Sequence, residues 1–270
     1  MSVVGGRVAV VVVLASVLLF VAWGLAPEAA LFRDAQSQHA LLALASVLKL
    51  GLLVAGALVA FACRDRLEDG NPARPAWALL AAGLFATLAG QLSLAPYQLF
   101  SGQSPFPSVG DLFYVLSYPF FIAAFLVFLR AYREAGFPMG SAAERVGIVA
   151  GVGLLAILLA VVILRPVAAA GGADLLERIL SVAYPVLDLV LLLPLALLLR
   201  VALRLGTSRA GLVWGELLAG FVFLCLSDML FAYLTALGQQ HLDPYTHACY
   251  VLAYGLVTGG ALQQLRLLKA

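Results

Sequence analysis

Long apolar runs that contain few charges recur along the whole chain, and they limit it to helices that span a membrane. Of the 270 residues, 64% are hydrophobic and only 11% are charged, whereas a soluble domain carries about 25% charged residues. Lipid offers no hydrogen bonds, so each spanning segment must pair its own backbone groups, as a helix does. The sequence therefore predicts an all-α, polytopic integral membrane helical bundle that forms a single transmembrane domain over residues 1–270.

The apolar runs predict about eight transmembrane helices, since each is close to the ~17–25 residues that cross a bilayer. The first run also resembles a signal peptide, because Arg7 precedes it and Ala26-Pro27-Glu28-Ala29 follows it. It is longer than the roughly 7–15 apolar residues of a signal sequence, so we expect it to be retained as a helix. The predicted spans are 8–25, 40–63, 76–100, 109–131, 144–166, 176–204, 211–237 and 246–266.

Basic residues gather at alternate ends of these spans and predict an orientation. Twelve arginines and lysines fall on one side, and only Arg33, Arg165 and Arg178 fall on the other. Cytoplasmic loops are enriched in Lys and Arg, so both termini are predicted to be cytoplasmic. The net charge of +2 carries no electrostatic signature of a nucleic-acid partner.

A segment that begins at Ser108 recurs near the end of the sequence at a constant offset, which places Asp111 on His247. Each copy has an ionisable residue at its start and tyrosines one and two turns below it, on one helix face. A less regular copy lies between them. Ordinary aromatic packing between helices is the alternative interpretation. The stripe comprises Asp111, Tyr114 and Tyr118, then Glu177 and Tyr184, and finally His247, Tyr250 and Tyr254.

Two further pairs match at nearly the same offset: Trp77 with Trp214, and Gln91 with Asp228. Together these matches predict a parallel internal repeat of helical hairpins, in which successive copies keep the same orientation. The predicted units are 1–74, 75–141, 142–209 and 210–270.

Four polar side chains on four predicted spans share one depth in the membrane, about 14–15 Å from the outer boundary at ~1.5 Å per residue. Charges at such a depth cost at least about 2.5–3.5 kcal/mol each and therefore face the bundle interior. We expect Lys49 to pair there with Asp188, Asp228 or both. Two hypotheses stay open, a structural polar layer that fixes helix order and a site for a ligand, an ion or a proton relay. The layer comprises Lys49, Gln91, Asp188 and Asp228.

Three histidines on the outer side are weak candidates for a metal site, namely His39, His241 and His247. Imidazole suits zinc, copper or nickel, but the spacing matches no known metal motif and no cofactor is predicted. The sequence holds no GxSxG, HExxH or P-loop pattern, so the chain is not predicted to be an enzyme.

Local features give three smaller expectations. Ser108 or Asp111 is predicted to cap the fourth span, because either side chain can accept from free backbone amides. Trp77 is predicted to lie at the cytoplasmic interface, where amphipathic rings are favoured. Small residues allow helices to approach closely in membranes, which is expected in the fifth span at Gly147, Gly151 and Gly153.

The string PSVGDLFYVLSYP, from Pro107 to Pro119, resembles the pattern PSxADxxYLxxYP. That pattern occurs in the multi-span N-terminal membrane regions that precede diguanylate cyclase and cyclic-di-GMP phosphodiesterase modules of bacterial signalling proteins. The resemblance covers about residues 76–266. It implies an input domain in the bacterial inner membrane whose ligand is generally undefined. We therefore expect a sensory or regulatory protein that binds a small or lipophilic ligand.

We expect no signalling module on this chain, since only four residues follow Arg266. Cyclase or phosphodiesterase activity is therefore not carried over, and we expect the chain to act through a cytoplasmic signalling protein, with a second copy of the chain as another candidate partner. The alternative function is a small-molecule or proton-coupled transporter that uses Lys49, Asp188 and Asp228.

Overall fold

The structure is a computed structural model that describes residues 3–29, 32–102, 104–137, 141–159, 161, 162, 165, 174–238 and 243–269. Those residues form eight α-helices and no β-strand, which confirms the predicted all-α class. The helices are α1 Val3–Leu25, α2 Ala35–Arg66, α3 Arg74–Pro96, α4 Val109–Glu134, α5 Ala142–Leu159, α6 Leu175–Leu205, α7 Arg209–Ala236 and α8 Asp243–Leu267, and a short π-helical segment, Tyr97–Ser101, extends α3.

Within the described part of the chain, five helices are long and apolar enough to cross a membrane by length and composition: α2, α3 with its extension, α4, α6 and α7. This confirms a multi-pass membrane architecture. The count of eight spans stays a prediction, because α1 contributes only the shorter apolar stretch Val10–Leu25 and part of the predicted span 144–166 lies outside the described residues.

Six helices form a closed ring in which each helix packs against the next, in the order α2, α3, α4, α6, α7, α8 and back to α2. Helix α1 packs against α8, and α5 packs against α6. An ion pair of 2.6 Å between Arg200 Nη2 and Glu144 Oε2 joins α6 to α5. The ring is the part of the fold that positions the candidate site.

Side chains at the helix starts fix where the ring helices begin. Asp111 Oδ2 accepts from the backbone N–H of Ser108 at 2.6 Å and from the Ser108 hydroxyl at 2.9 Å, which confirms Asp111 as a cap of α4. Asp34 accepts from the backbone N–H of Ser37 at the start of α2. Ser208 accepts from the backbone of α7 in the same way.

Aromatic side chains fill one half of the ring. This half lies toward the arginine-rich end of the bundle, where the helix ends carry Arg66, Arg74, Arg133, Arg204, Arg209 and Arg266. Phe121 and Phe125 of α4 pack edge-on against Phe221 of α7, with ring centroids 4.9 and 4.8 Å apart. Phe128, one turn further along α4, lies between Trp77 and Trp214 at 5.5 and 4.9 Å. These six rings are called the aromatic cluster below.

Trp77 lies in the first turn of α3, and its side chain is only 2% exposed inside the aromatic cluster. Its place at the cytoplasmic interface stays a prediction. Its apolar area is removed from both lipid and water by Phe128. Trp214 is buried in the same cluster, and its indole N–H donates to the hydroxyl of Tyr132. Both tryptophans therefore pack inside the ring.

Among the described residues, close helix approach occurs in the ring and not along α5. A Cβ added at Gly220 would lie 2.7 Å from Val257 and 2.9 Å from the Ala253 carbonyl oxygen, and one added at Gly83 would meet the Phe121 ring. The expectation for α5 is wrong, since α5 packs mainly on α6 through a limited surface. No atom of the described residues lies within 4 Å of a Cβ added at Gly147, Gly151 or Gly153.

Candidate functional site

The ring encloses a cavity of about 120 Å³ between the aromatic cluster and the end of the bundle opposite the arginines. Phe121 of the aromatic cluster forms its floor, and Pro105 and Phe106 of the α3–α4 loop line the other end. An engineered cavity of about 150 Å³ binds benzene, so this space suits a small molecule of similar size. All six ring helices contribute to its wall, for example through Lys49, Gln91, Asp111, Tyr184, Asp228 and Tyr250.

Most of the predicted stripe lines this cavity. Its two regular copies, from Asp111 to Tyr118 and from His247 to Tyr254, face it together with Tyr184. Glu177 lies in the first turn of α6 and is not part of the wall. Of the predicted midplane layer, Lys49, Gln91 and Asp228 line the cavity, whereas Asp188 is fully buried behind it.

A single tyrosine hydroxyl joins the two buried aspartates. Tyr118 Oη lies 2.8 Å from Asp188 Oδ1 and 3.0 Å from Asp228 Oδ2. A phenol has one proton to donate, so the second oxygen–oxygen contact is a hydrogen bond only if one carboxyl group carries a proton. The geometry suits two carboxyl groups that hold one proton between them near Tyr118, as close acid pairs do.

The other oxygens of this pair are not equivalent. Asp228 Oδ1 accepts from the hydroxyl of Tyr250, so both of its oxygens have partners. Asp188 Oδ2 has no hydrogen-bond partner in the described part of the chain. Removal of Tyr118 would consequently affect Asp188 more than Asp228.

The predicted ion pair of Lys49 with Asp188 or Asp228 is wrong. No ion pair within 4 Å involves Lys49 among the described residues. Its amino group lies 5.7 Å from the centre of the Tyr250 ring, and Tyr250 in turn donates to Asp228. The tyrosine thus stands between the two charges, because a shared depth does not give a shared direction around the bundle axis.

Gln91 is the centre of a network of neutral groups. Its Nε2 donates to Gln98 Oε1 at 2.9 Å and to Ser46 Oγ at 3.3 Å, and its Oε1 accepts from Tyr114 at 3.3 Å. Gln98 continues the network to Ser104 at 3.0 Å. Gln98 was not among the predicted site residues, although it lies two helical turns after Gln91 on the same face.

Asp111 holds α6 against α4 in addition to capping its own helix. The hydroxyl of Tyr184 donates to Asp111 Oδ1 at 2.7 Å, while Oδ2 accepts from Ser108. Tyr254, by contrast, is only 5% exposed, and its hydroxyl takes part in none of the hydrogen bonds between the described residues.

The two candidate metal ligands that the structure describes, His39 and His247, have separate neighbours. His39 Nε2 lies 2.8 Å from the carbonyl oxygen of Leu99, where it ties the start of α2 to the π-helical segment. His247 lines the cavity, and His241 lies outside the described residues. Within the described part of the chain, no three His, Cys, Asp or Glu side chains come together as a metal site would require.

One hydrogen bond recurs between α3–α4 and α7–α8 at the positions matched in the sequence. Tyr114 of α4 donates to Gln91 of α3. Tyr250 of α8, the match of Tyr114, donates to Asp228 of α7, the match of Gln91. The two helix pairs therefore carry the same inter-helix contact at corresponding sites.

One close glycine approach recurs in the same way. Gly83 of α3 approaches Phe121 of α4, and Gly220 of α7 approaches Val257 of α8. Gly220 corresponds to Gly83 in the register that matches Trp214 with Trp77, and Val257 corresponds to Phe121 in the register that matches Tyr250 with Tyr114.

Comparison with known proteins gives no relative for this chain: no family model matches it, and neither the curated proteins nor the solved structures searched contain a match.

Proposed function

We propose that the chain is a sensory membrane protein that binds a small ligand in the ring cavity and acts through a cytoplasmic partner. The observation that carries the proposal is the cavity itself, which has a polar wall drawn from all six ring helices and an aromatic floor. Ligand sites in helical bundles have this form, with an apolar body and few polar groups. The resemblance of Pro107–Pro119 to bacterial input domains supports the same function.

Helix α4 is the element suited to carry the signal. Asp111, Tyr114 and Tyr118 on its first half face the cavity, and Phe121, Phe125 and Phe128 on its second half belong to the aromatic cluster. A ligand shifts such a protein only if it binds one arrangement of the helices better than another. A ligand that changes the position of α4 would change the packing of the aromatic cluster toward Arg130 and Arg133.

Native mass spectrometry of the purified protein tests ligand binding, and we expect a small molecule to be retained. Ser117→Leu should abolish the retained mass, because Ser117 is buried and lines the cavity. Ser93→Leu is the matched control, since both hydroxyls bond to a carbonyl of their own helix and Ser93 is not on the wall. A protein that never carries a ligand, or equal behaviour of the two variants, would count against the proposal.

Crosslinking in native membranes tests the partner. We expect a cytoplasmic signalling protein to be recovered through the arginine-rich end, and its absence under all growth conditions would contradict this part of the proposal. A crosslink between two copies of the chain would instead identify a homo-oligomer.

The proposed orientation has both termini in the cytoplasm of a bacterial cell, with the cavity toward the outside. Reporter fusions after Ala270 and after Met139 should be cytoplasmic, and a fusion near Gln103 should be external. An external fusion after Ala270 would mean that a span had been miscounted. The recurring contacts of α3–α4 and α7–α8 support the proposed repeat of hairpins in one orientation.

A proton-coupled or small-molecule transporter is the second candidate, and the shared proton of Asp188 and Asp228 favours it. Such intramembrane acid pairs serve proton relays in transporters. If the protein carries protons, the interior of proteoliposomes under a proton gradient should acidify, as an internal pH dye would report. Asp228→Asn should abolish this acidification. If the protein binds its ligand but shows no flux, the transporter function is excluded and the sensory function remains.

A further inference from the structure

We propose that the ligand of the ring cavity is a small organic carboxylate, whose acid group is held by Lys49 and His247. The inference rests on the proposed function, since it names the chemical class that this cavity would bind. It comes from two polar groups on the cavity wall that the described part of the protein leaves without a hydrogen-bond partner.

Lys49 is the first of these groups. Its side chain is only 4% exposed, yet it lines the cavity. Among the described residues its amino group takes part in no ion pair, and it lies over the face of the Tyr250 ring, 5.7 Å from the ring centre. An ammonium group has three N–H donors, and an aromatic face cannot satisfy all of them.

His247 is the second group, and it belongs to the same part of the wall. Its Nδ1 is buried and has no hydrogen-bond partner among the described residues. Tyr250, whose ring faces the Lys49 amino group, follows His247 by one helical turn on the same face of α8, and the ring of Phe20 packs on His247 at 6.2 Å. An acid group placed between Lys49 and His247 would supply acceptors to both.

The acidic residues on the wall argue against a cation as the main ligand. Tyrosine hydroxyls already donate to Asp228 and to Asp111, and the second oxygen of Asp111 accepts from the start of its own helix. Asp243, the third acid of the wall, is not free either. Protein groups therefore occupy the acids that a ligand amine would need, whereas the Lys49 ammonium is left open for an acceptor such as a carboxylate.

The protons balance whether the ligand arrives as a carboxylate or as a neutral carboxylic acid. A carboxylate that meets the Lys49 ammonium forms the ion pair directly. A carboxylic acid that enters neutral, and meets a neutral amine, loses its O–H proton to Lys49 Nζ, where a new N–H bond forms. Both routes end in the same ammonium–carboxylate pair, which is favoured over separated charges in a medium of low dielectric constant.

The size of the cavity limits the rest of the ligand. About 120 Å³ leaves room for one ring or a short alkyl chain. Aromatic side chains such as Tyr254, Phe106 and Phe231 line it and offer apolar contact. Benzoate and butyrate are therefore suitable probes, and benzamide and butyramide are neutral compounds of almost the same shape.

Calorimetric titration of the full chain in detergent tests the inference. On the unchanged protein, each carboxylate should bind at least about 30-fold more tightly than its amide, since loss of one partner of a buried charge pair is costly. Lys49→Met should remove that difference. Lys269→Met, at the exposed end of α8 and the only other lysine, should keep it.

Equal affinity for a carboxylate and its amide, or an unchanged difference in Lys49→Met, would overturn the inference. The comparison of the two ligands needs no variant, so it decides even if Lys49→Met does not fold. A retained neutral or cationic ligand together with no carboxylate binding would overturn the inference and leave the proposed function standing. If no compound binds and none is retained, both fail.

Discussion

Replacement of Tyr118 by phenylalanine is the sharpest test of the site geometry, because it removes one oxygen atom that contacts two carboxyl groups. Asp188 would then keep only the thiol of Cys225 nearby, which is a weak donor, and its Oδ2 already has no partner among the described residues. Asp228 would keep Tyr250. The loss should therefore fall mainly on Asp188, a side chain that is 0% exposed.

The magnitude follows from these contacts. A buried acceptor that loses its main partner costs about 1–3 kcal/mol, and the lost bond to Asp228 adds about 0.5–1.5 kcal/mol. We expect Tyr118→Phe to lower the free energy of unfolding by roughly 2–4 kcal/mol. Tyr254→Phe is the matched control, because Tyr254 is just as buried and its hydroxyl makes no hydrogen bond to the described residues; it should change stability by less than about 0.5 kcal/mol.

Reversible unfolding in mixed detergent micelles, followed by circular dichroism, measures both values. A double-mutant cycle with Asp188→Leu then isolates the pair, since leucine has the branching of aspartate without its need for a hydrogen bond. The coupling energy should be about 1–3 kcal/mol, because removal of both partners leaves neither of them unsatisfied. If Tyr118→Phe costs no more than Tyr254→Phe, or if the cycle is additive, the shared-proton geometry is wrong.

The other predictions use the same unfolding assay. Gly220→Ala should destabilise the protein by at least about 1 kcal/mol, because its Cβ would meet the backbone of α8. Gly51→Ala has open space around it and should stabilise the protein by up to about 1 kcal/mol. If Gly51→Ala were the more destabilising of the two, the close contact between α7 and α8 would be refuted. Lys49→Met, in the absence of ligand, should leave the free energy of unfolding unchanged or raise it, because no carboxylate of the described residues pairs with Lys49. A decrease of about 3 kcal/mol or more, the cost of leaving a buried charge without its partner, would reveal an ion pair of Lys49. Tyr184→Phe should cost only about 0.5–1.5 kcal/mol, because Asp111 keeps both contacts with Ser108, and a larger loss would mean that Tyr184 is the main anchor of Asp111.

The helices could be predicted well from the sequence because the membrane leaves little choice of structure. Predicted spans such as 40–63 and 109–131 fall inside α2 and α4, and the cap at Asp111 could be predicted from its side-chain chemistry alone. The depth of polar residues was also a sound guide, since Lys49, Gln91 and Asp228 meet at one cavity.

The partners of these side chains could not be predicted, because they depend on the rotation of each helix and on the order of helices around the ring. Counting residues gives a height along the axis and no direction across it. Lys49 and Asp228 therefore share a level, but Tyr250 lies between them. The aromatic cluster could have been predicted in part, because Phe121, Phe125 and Phe128 follow the helical spacing of i, i+4 and i+7 and so share one face of α4.

The closure of the ring between α2 and α8 has a consequence for biosynthesis. The hydroxyl of Thr258 in α8 donates to the carbonyl oxygen of Leu52 in α2, and Cys63 donates to Ala261. Most of the chain lies between the partners of each bond, so α2 must wait in the bilayer until α8 has left the ribosome. During that interval the face of α2 that carries Lys49 has no α8 to cover it. Until α8 is made, the Lys49 amino group therefore lacks the Tyr250 ring that it faces in the folded protein.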